Sequence, residues 1–167
     1  MARTDPRRLA DPLPIRPLDQ PPDATVLLPG SKSITNRALV AAAMADGDTT
    51  LEGVLFADDT DAMISALQEL GIEIAIDEDS ATARIEGCGG ELPGIETTID
   101  ARQSGTTGRF LTPMVALGAA PVVVDGDQQL RDRPMDDQIS ALREMGVTVE
   151  ELGEAGRLPL RLTGPLR

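Results

Sequence analysis

Short apolar runs alternate with longer amphipathic segments along most of the chain, and this pattern predicts strands that alternate with helices. Residues 24–28 form an apolar run that predicts a first strand, which Pro29-Gly30 ends. The alanine-rich residues 33–45 predict the first helix. The rest of this half predicts, in order, a strand over 49–54, a helix that opens at Asp58-Asp59 and ends at Gly71, a strand over 72–76 and its hairpin partner over 82–86.

The second half of the chain repeats this pattern. Residues 65–71, Ser-Ala-Leu-Gln-Glu-Leu-Gly, are echoed 75 positions later by residues 140–146, Ser-Ala-Leu-Arg-Glu-Met-Gly, and Gly30 and Gly105 are also 75 apart. We therefore predict two copies of a βαβαββ unit in a layered α/β fold. The predicted elements here are strands over 96–100, 121–124, 147–149 and 158–162, with helices over 109–117 and from Pro134 to Met145. The predicted organisation is a proline-rich extended lead-in over 1–23, a first unit over 24–94 and a second unit over 95–167.

The junction between the first predicted strand and the first predicted helix has the features of an anion site. Backbone N–H groups in the first turn of a helix have no partner within the helix, and they lie at the positive end of its dipole. Lys32, Ser33 and Arg37 lie at this helix start. Five positions separate the two cations, or about 140° around an ideal helix, so two neighbouring anionic groups are plausible ligands. The alternative is a solvated, capped helix start.

A second junction of the same kind follows 75 residues later. Gly105, Thr106 and Arg109 stand at the start of the corresponding helix, where the bare glycine backbone lets a ligand approach closely. We therefore expect the two helix starts to face one cleft.

A third basic stretch, Arg131-Asp132-Arg133-Pro134, precedes the last predicted helix. An arginine here has the fork geometry to bind a carboxylate or a phosphate. The alternative is pairing with neighbouring acids on the surface, namely Asp132, Asp136 or Asp137. Asp58 and Asp59 are expected to cap the helix that they open, and pairing with Lys32 is their alternative role.

Composition narrows the possible functions. The chain has 167 residues and a net charge of −13, which disfavours nucleic acid and anionic membrane surfaces as partners. An anionic small molecule would need a local basic cluster. No histidine is present, so proton transfer would rely on Lys, Asp or Glu, and metal sites with histidine ligands are excluded. No membrane-spanning run or signal peptide is recognisable, and the single Cys88 suits a reducing compartment, so we expect a cytoplasmic protein.

Residues 28–39, Leu-Pro-Gly-Ser-Lys-Ser-Ile-Thr-Asn-Arg-Ala-Leu, resemble the N-terminal signature of the 5-enolpyruvylshikimate-3-phosphate (EPSP) synthase family. The resemblance continues through Gly-Thr at 105–106, Arg109 and Asp-Arg-Pro-Met at 132–135. It implies the enolpyruvyl transferase fold, in which repeated units build a two-domain inside-out α/β barrel. It also implies transfer of the enolpyruvyl group of phosphoenolpyruvate to the 5-hydroxyl of shikimate 3-phosphate, on the way to chorismate and the aromatic amino acids.

The resemblance implies roles for individual residues, and it implies neither metal nor organic cofactor. Lys32 would be the catalytic residue and contact both substrates, and Ser33 and Arg37 would hold shikimate 3-phosphate. Gly105 and Arg133 would line the phosphoenolpyruvate site, and Thr106 would support that loop as a further substrate-binding residue. Asp59 and Arg109 would be supporting residues.

The chain also departs from the family pattern. Gln103-Ser104 replaces the usual Asn-Ala, Phe110 stands where proline is frequent, and Gln128-Gln129 replaces a common Pro-Arg. The family's chain is more than twice as long and holds three such units in each domain, with the general acid/base carboxylates in the part that this chain lacks. We therefore expect an N-terminal fragment that is inactive alone. An intact family member is expected to be a monomer, and the fragment is at risk of self-association through bare apolar surface.

Two alternatives remain from the sequence, besides an acidic α/β domain with no site. The first is a relative of the enolpyruvyl transferase that acts on UDP-N-acetylglucosamine, although that family has Lys-Asn where this chain has Lys32-Ser33. The second is a non-catalytic phosphate-binding module.

Overall fold

The computed structural model describes residues 12–15 and 17–166, which form five helices and seven strands. The first half contains α1 (Lys32–Met44), β1 (Asp46–Glu52), α2 (Asp58–Glu69), β2 (Glu73–Asp77) and β3 (Thr82–Cys88). The second half contains β4 (Thr97–Asp100), α3 (Gly105–Val115), β5 (Val122–Asp125), α4 (Gln128–Arg131), α5 (Asp136–Glu144), β6 (Thr148–Glu151) and β7 (Leu160–Thr163). The mixed α/β fold class predicted from the sequence is confirmed.

The strands form two sheets with related topologies. The first sheet has the order β1-β3-β2, and all of its pairs are antiparallel. The second has the order β4-β5-β7-β6, in which β4 and β5 are parallel and the other pairs are antiparallel. The order β5-β7-β6 therefore repeats the order β1-β3-β2, as expected from the 75-residue sequence repeat.

Both sheets and the helices share one hydrophobic core. The buried faces follow the helical period, since α1 buries Leu39, Ala42 and Ala43 and α5 buries Ile139 and Leu142. In the sheets, alternate residues point into the core. In β7, for example, Leu160 and Leu162 are fully buried, whereas Arg161 and Thr163 are partly exposed. This common core fixes the starts of the helices relative to one another.

The prediction of a strand over residues 24–28 is wrong. This segment belongs to no sheet, and Val26, Leu27 and Leu28 are 73%, 92% and 83% exposed. The equivalent strand of the second half, β4, is held by backbone hydrogen bonds to β5, whereas β1 pairs with β3 alone within the described residues. An apolar run predicts a strand, but it forms one only where a neighbouring strand provides hydrogen-bond partners for its backbone N–H and C=O groups.

The other predicted elements lie within a few residues of those observed. The largest shift is at α3, which begins at Gly105 rather than Arg109, so the predicted glycine-and-hydroxyl junction is itself the first helical turn. The four-residue α4 was not predicted. In the predicted lead-in, residues 12–15 and 17–23 form no helix or strand, and the remainder lies outside the described residues. Within the described part of the chain, no helix combines the length and apolarity needed to cross a membrane.

Candidate functional site

The start of α1 is fixed against the loop that follows β1. A Cβ atom at Gly30 would overlap the carbonyl oxygen of Gly53 and lie 2.9 Å from the backbone nitrogen of Leu55, so only glycine fits here. One turn into the helix, the buried Thr35 hydroxyl accepts a hydrogen bond of 3.2 Å from the Leu55 N–H. These two contacts hold the first turn of α1, and with it Lys32, beside the chain that leads to α2.

The first turn of α2 lies between the other two helix starts. Asp59 accepts a hydrogen bond from the Lys32 ammonium, at 3.1 Å between Nζ and Oδ2. On its other side, the Asp59 carbonyl lies 3.4 Å from the Thr107 hydroxyl of α3. The N-cap position of α2 is Ala57, whose N–H donates to the Thr60 hydroxyl at 2.9 Å. The predicted capping role of Asp58 and Asp59 is therefore wrong, and the alternative pairing with Lys32 is observed.

The start of α3 is capped by a buried hydroxyl pair. Ser104 stands at the N-cap, and its Oγ accepts hydrogen bonds from the Thr107 N–H at 3.2 Å and the Thr107 hydroxyl at 2.8 Å. Both side chains are almost fully buried. The cap leaves the N–H groups of Gly105 and Thr106 without a partner inside the helix, and these groups lie at the positive end of its dipole.

Arg133 reaches this helix start from the loop between α4 and α5. A Cβ atom at Gly105 would overlap Nη1 of Arg133, which shows that the guanidinium lies directly against the glycine backbone. Arg109 holds this loop in place, since its Nη2 donates to the Pro134 carbonyl at 2.9 Å. Gln138 of α5 donates to the Arg109 carbonyl at 2.7 Å and completes the link.

These elements enclose an open hollow of about 500 Å³, which we call the cationic hollow. Its lining residues are Lys32, Ser33, Arg37, Asp59, Gln103, Gly105, Thr106, Arg109, Phe110 and Arg133. Four of them are cations and one is an acid, so the local charge is +3 in a chain whose net charge is −13. The cationic hollow is therefore suited to a ligand that carries more than one negative charge.

A hollow of about 600 Å³ beside β2 and β3 has the opposite character. Its cation Arg84 is paired with Asp48 at 2.6 Å, and Glu73 and Glu86 also line it. A site with one neutralised cation and two further acids does not suit an anion.

All eight of the site residues proposed from the sequence line the cationic hollow. They are Lys32, Ser33, Arg37, Asp59, Gly105, Thr106, Arg109 and Arg133. The side chains of Lys32 and Arg37 both reach it although they diverge on the helix, because α2 and α3 flank α1 on two sides. Their roles towards a ligand are taken up below.

Arg131 does not take part in the site. Its guanidinium forms a bidentate pair with Asp125, with Nε to Oδ1 at 2.9 Å and Nη2 to Oδ2 at 2.7 Å. The partners predicted for this stretch did not include Asp125, because that carboxylate lies at the end of β5 and is brought close by the unpredicted α4. Arg131 is therefore bound to Asp125, whereas Arg133 lies at the start of α3.

The environment of Asp59 lowers the pKa of its carboxyl group. Partial burial would raise the pKa, but hydrogen bonds from the Ser104 hydroxyl and the Lys32 ammonium, together with the charges of Lys32 and Arg133, outweigh this effect. The carboxylate therefore stays ionised and keeps the Lys32 ammonium at the edge of the cationic hollow.

We expect Asp59→Asn to reduce the free energy of unfolding in a pH-dependent way. A lowered pKa contributes stability that is present above the ordinary carboxyl pKa and is lost as the pH falls through the folded-state value. Because the Lys32 and Asp59 side chains are 48% and 32% exposed, solvent screens the pair and the effect is at most about 1 kcal/mol. Urea unfolding should show a difference from the wild type near pH 7 that shrinks at about pH 3.

Asp58→Asn is the matched control for this prediction, since it removes the same charge from the same helical turn. Asp58 forms no ion pair with Lys32 among the described residues. A destabilisation by Asp59→Asn that is equal at both pH values, or equal to that of Asp58→Asn, would contradict the prediction.

The fold and the cationic hollow together define an α/β domain whose helix starts converge on a hollow suited to a polyanionic small molecule. The model of the family "EPSP synthase (3-phosphoshikimate 1-carboxyvinyltransferase)" matches residues 19–167. The 3-phosphoshikimate 1-carboxyvinyltransferase of Nostoc sp. is 40% identical over 154 residues, which are 92% of this chain and 36% of the relative. That of Laribacter hongkongensis is 44% identical over 138 residues, 83% of this chain and 32% of the relative.

Solved structures agree with the sequence matches. An EPSP synthase structure from Acinetobacter baumannii superposes with a TM-score of 0.77 at 30% identity, covering 85% of this chain and 32% of the other. The chain belongs to the EPSP synthase family. It spans about a third of the length of the curated relatives that it matches.

Proposed function

We propose that this chain supplies part of the substrate site of an enolpyruvyl transferase that acts on shikimate 3-phosphate. The reaction transfers the enolpyruvyl group of phosphoenolpyruvate to the 5-hydroxyl of shikimate 3-phosphate and releases phosphate, in the route to chorismate. The family membership supports this assignment. The observation that carries it is the convergence of four cations and two helix starts on one hollow in a strongly acidic chain.

Each half of the cationic hollow suits one substrate. Ser33 and Arg37, at the start of α1, hold the phosphate and carboxylate of shikimate 3-phosphate. Gly105 and Arg133, at the start of α3, hold phosphoenolpyruvate, whose phosphate can approach the glycine backbone closely. Lys32 stands at the edge and contacts both substrates, while Asp59 keeps its ammonium in place.

The supporting residues fix the positions of the groups that bind the substrates. Arg109 fixes the Pro134 carbonyl and so sets where the adjacent Arg133 lies. Thr106 belongs to the first turn of α3, where its N–H points towards the bound anion. The cations therefore occupy fixed positions before a substrate arrives, which is the arrangement that stabilises developing charge with little reorganisation.

The chemistry is an addition followed by an elimination. The methylene carbon of phosphoenolpyruvate takes up a proton while the 5-hydroxyl gives up its proton and attacks the adjacent carbon. The tetrahedral adduct then loses phosphate and one proton of the new methyl group, which gives the enol ether. The residues of this chain bind and orient the two anions and bring the hydroxyl to the carbon that it attacks. The general acid/base carboxylates belong to the part of the family's longer chain that has no counterpart in these 167 residues. We therefore expect no turnover from the 167 residues alone.

Calorimetry with the purified chain tests the proposal. Shikimate 3-phosphate should bind, and shikimate, which lacks the phosphate, should bind at least about tenfold more weakly, since a charge-assisted contact is worth about 1.5–3 kcal/mol. An assay of phosphate release with both substrates should give no rate above background. Equal affinity for the two ligands would contradict the substrate assignment, and ordinary turnover would contradict the assignment of acid/base groups to the rest of the family's chain.

A further inference from the structure

Arg37 and Phe110 form the wall between two hollows of different character. The guanidinium carbon of Arg37 lies 5.5 Å from the centroid of the Phe110 ring. On one side the pair faces the cationic hollow. On the other side it faces an apolar groove of about 630 Å³ between α1 and α3, lined also by Val40, Ala41, Met44, Pro113, Met114, Leu117 and Leu166.

Two contacts restrict the Arg37 side chain, which is otherwise exposed. Its Nη1 donates to the Ser33 carbonyl at 2.8 Å, within the same helix. The Phe110 ring, which is half-buried, covers a guanidinium that would otherwise be free to turn. An arginine loses rotamer entropy when it is held in one position, so a contact that fixes it before binding improves affinity.

Stacking on the ring is compatible with anion binding. A guanidinium presents five N–H donors in its plane, while its flat face is weakly hydrated and packs on aromatic rings. The guanidinium carbon of Arg37 lies over the ring, and a guanidinium that packs face-on there keeps its in-plane donors for a phosphate or carboxylate. Ser33 takes up only one of the five.

We propose that Phe110 is a positioning residue of the anion site, which holds the Arg37 guanidinium in its binding orientation through stacking. The proposal rests on the proposed function for the identity of shikimate 3-phosphate as the ligand, but the stacking itself applies to any anion that Arg37 binds. Phe110 does not contact the ligand in this scheme and acts entirely through Arg37.

Binding of two anions to the 167-residue chain and its variants tests the proposal. Phe110→Leu keeps an apolar side chain but removes the ring face, and it should raise the dissociation constants of shikimate 3-phosphate and inorganic phosphate about two- to fivefold. Phe110→Tyr keeps the ring and should restore wild-type affinity. Leu117→Met, a change elsewhere in the apolar groove, is the matched control and should leave both affinities unchanged.

A double-mutant cycle separates positioning from a general structural effect. If Phe110 acts through Arg37, the variant Arg37→Ala and the double variant Arg37→Ala with Phe110→Leu should bind equally. A further loss in the double variant, or wild-type affinity in Phe110→Leu, would overturn the proposal. Failure of Phe110→Tyr to restore binding would also overturn it.

NMR of the ligand-free chain gives a readout that does not depend on binding. Ring currents from Phe110 should shift the Arg37 Hδ and Hε resonances upfield, and Phe110→Leu should abolish this shift while Phe110→Tyr retains it. An unchanged resonance in Phe110→Leu would overturn the stacking.

The two ligands distinguish failure of this inference from failure of the proposed function. If shikimate 3-phosphate binds and Phe110→Leu has no effect, the inference fails and the proposed function stands. If inorganic phosphate binds in a Phe110-dependent way and shikimate 3-phosphate binds no better than shikimate, the proposed function fails and the inference stands. If neither anion binds to the wild type, both fail.

Discussion

Lys32→Met is expected to abolish measurable binding of shikimate 3-phosphate, with a loss of affinity of at least about 30-fold. The substitution keeps a flexible side chain of similar length and removes the one ammonium group that stands at the boundary between the two helix starts. It also leaves the carboxylate of Asp59, now unpaired by Lys32, at the edge of a site meant for anions. Lost attraction and new repulsion act in the same direction, which is why this effect should be the largest. Isothermal calorimetry measures it directly.

Arg84→Met is the matched control for Lys32→Met. It removes one positive charge from an exposed pair with Asp48 on the first sheet, outside the cationic hollow. Its affinity for shikimate 3-phosphate should equal that of the wild type, because Arg84 does not line the cationic hollow. The comparison is matched because the two variants change the net charge of the chain by the same amount. Unchanged affinity in Lys32→Met, or an equal loss in both variants, would contradict the role of Lys32.

Gly105→Ala is expected to weaken binding of phosphoenolpyruvate about tenfold or more while leaving the chain folded. The new methyl group would overlap Nη1 of Arg133, and the far end of an arginine side chain moves more readily than a helix backbone. Arg133 is therefore displaced from the start of α3, and the methyl group also occupies the space through which a phosphate reaches the backbone N–H groups. Calorimetry with phosphoenolpyruvate gives the affinity, and the far-ultraviolet circular dichroism melt checks the fold.

Two further variants make this prediction specific to Arg133. Gly94→Ala places a methyl group where nothing lies within 4 Å, and it should leave the affinity unchanged. Arg133→Met should weaken binding by a similar factor, and the double variant with Gly105→Ala should lose less than the sum of the two changes, since both remove the same contact. Full additivity would show that the methyl group acts on the ligand alone.

Local sequence signals were sufficient for most of the fold. Helix α1 lies at Lys32–Met44 where 33–45 was predicted, because its alanine-rich composition agrees with its packing. The run at 24–28 has an equally clear apolar signal and forms no strand, because a strand depends on a neighbour that its own residues do not encode. The short α4 has too few residues for any period to be visible.

The same distinction applies to the site: its residues could be proposed from local sequence, whereas the contacts between them join positions far apart in the sequence. Lys32, Ser33 and Arg37 stand next to one glycine junction, and Gly105 and Thr106 at another, so each set could be proposed from its own stretch. The contacts that arrange these sets join distant positions, as Lys32 does with Asp59 and Arg37 with Phe110. No spacing rule predicts such pairs, because they depend on how the helices pack. The same holds for Arg131, whose partner Asp125 lies on a strand.

The most direct test of the account is a pair of titrations of the isotope-labelled chain, one with shikimate 3-phosphate and one with phosphoenolpyruvate, followed by the backbone amide resonances. If the two helix starts divide one site as proposed, shikimate 3-phosphate should shift the amides around Ser33, phosphoenolpyruvate should shift those around Thr106, and both ligands should shift the amide of Lys32. A Lys32 amide that responds to only one of the two ligands, or phosphoenolpyruvate shifts that leave the amides around Thr106 unchanged, would contradict the account.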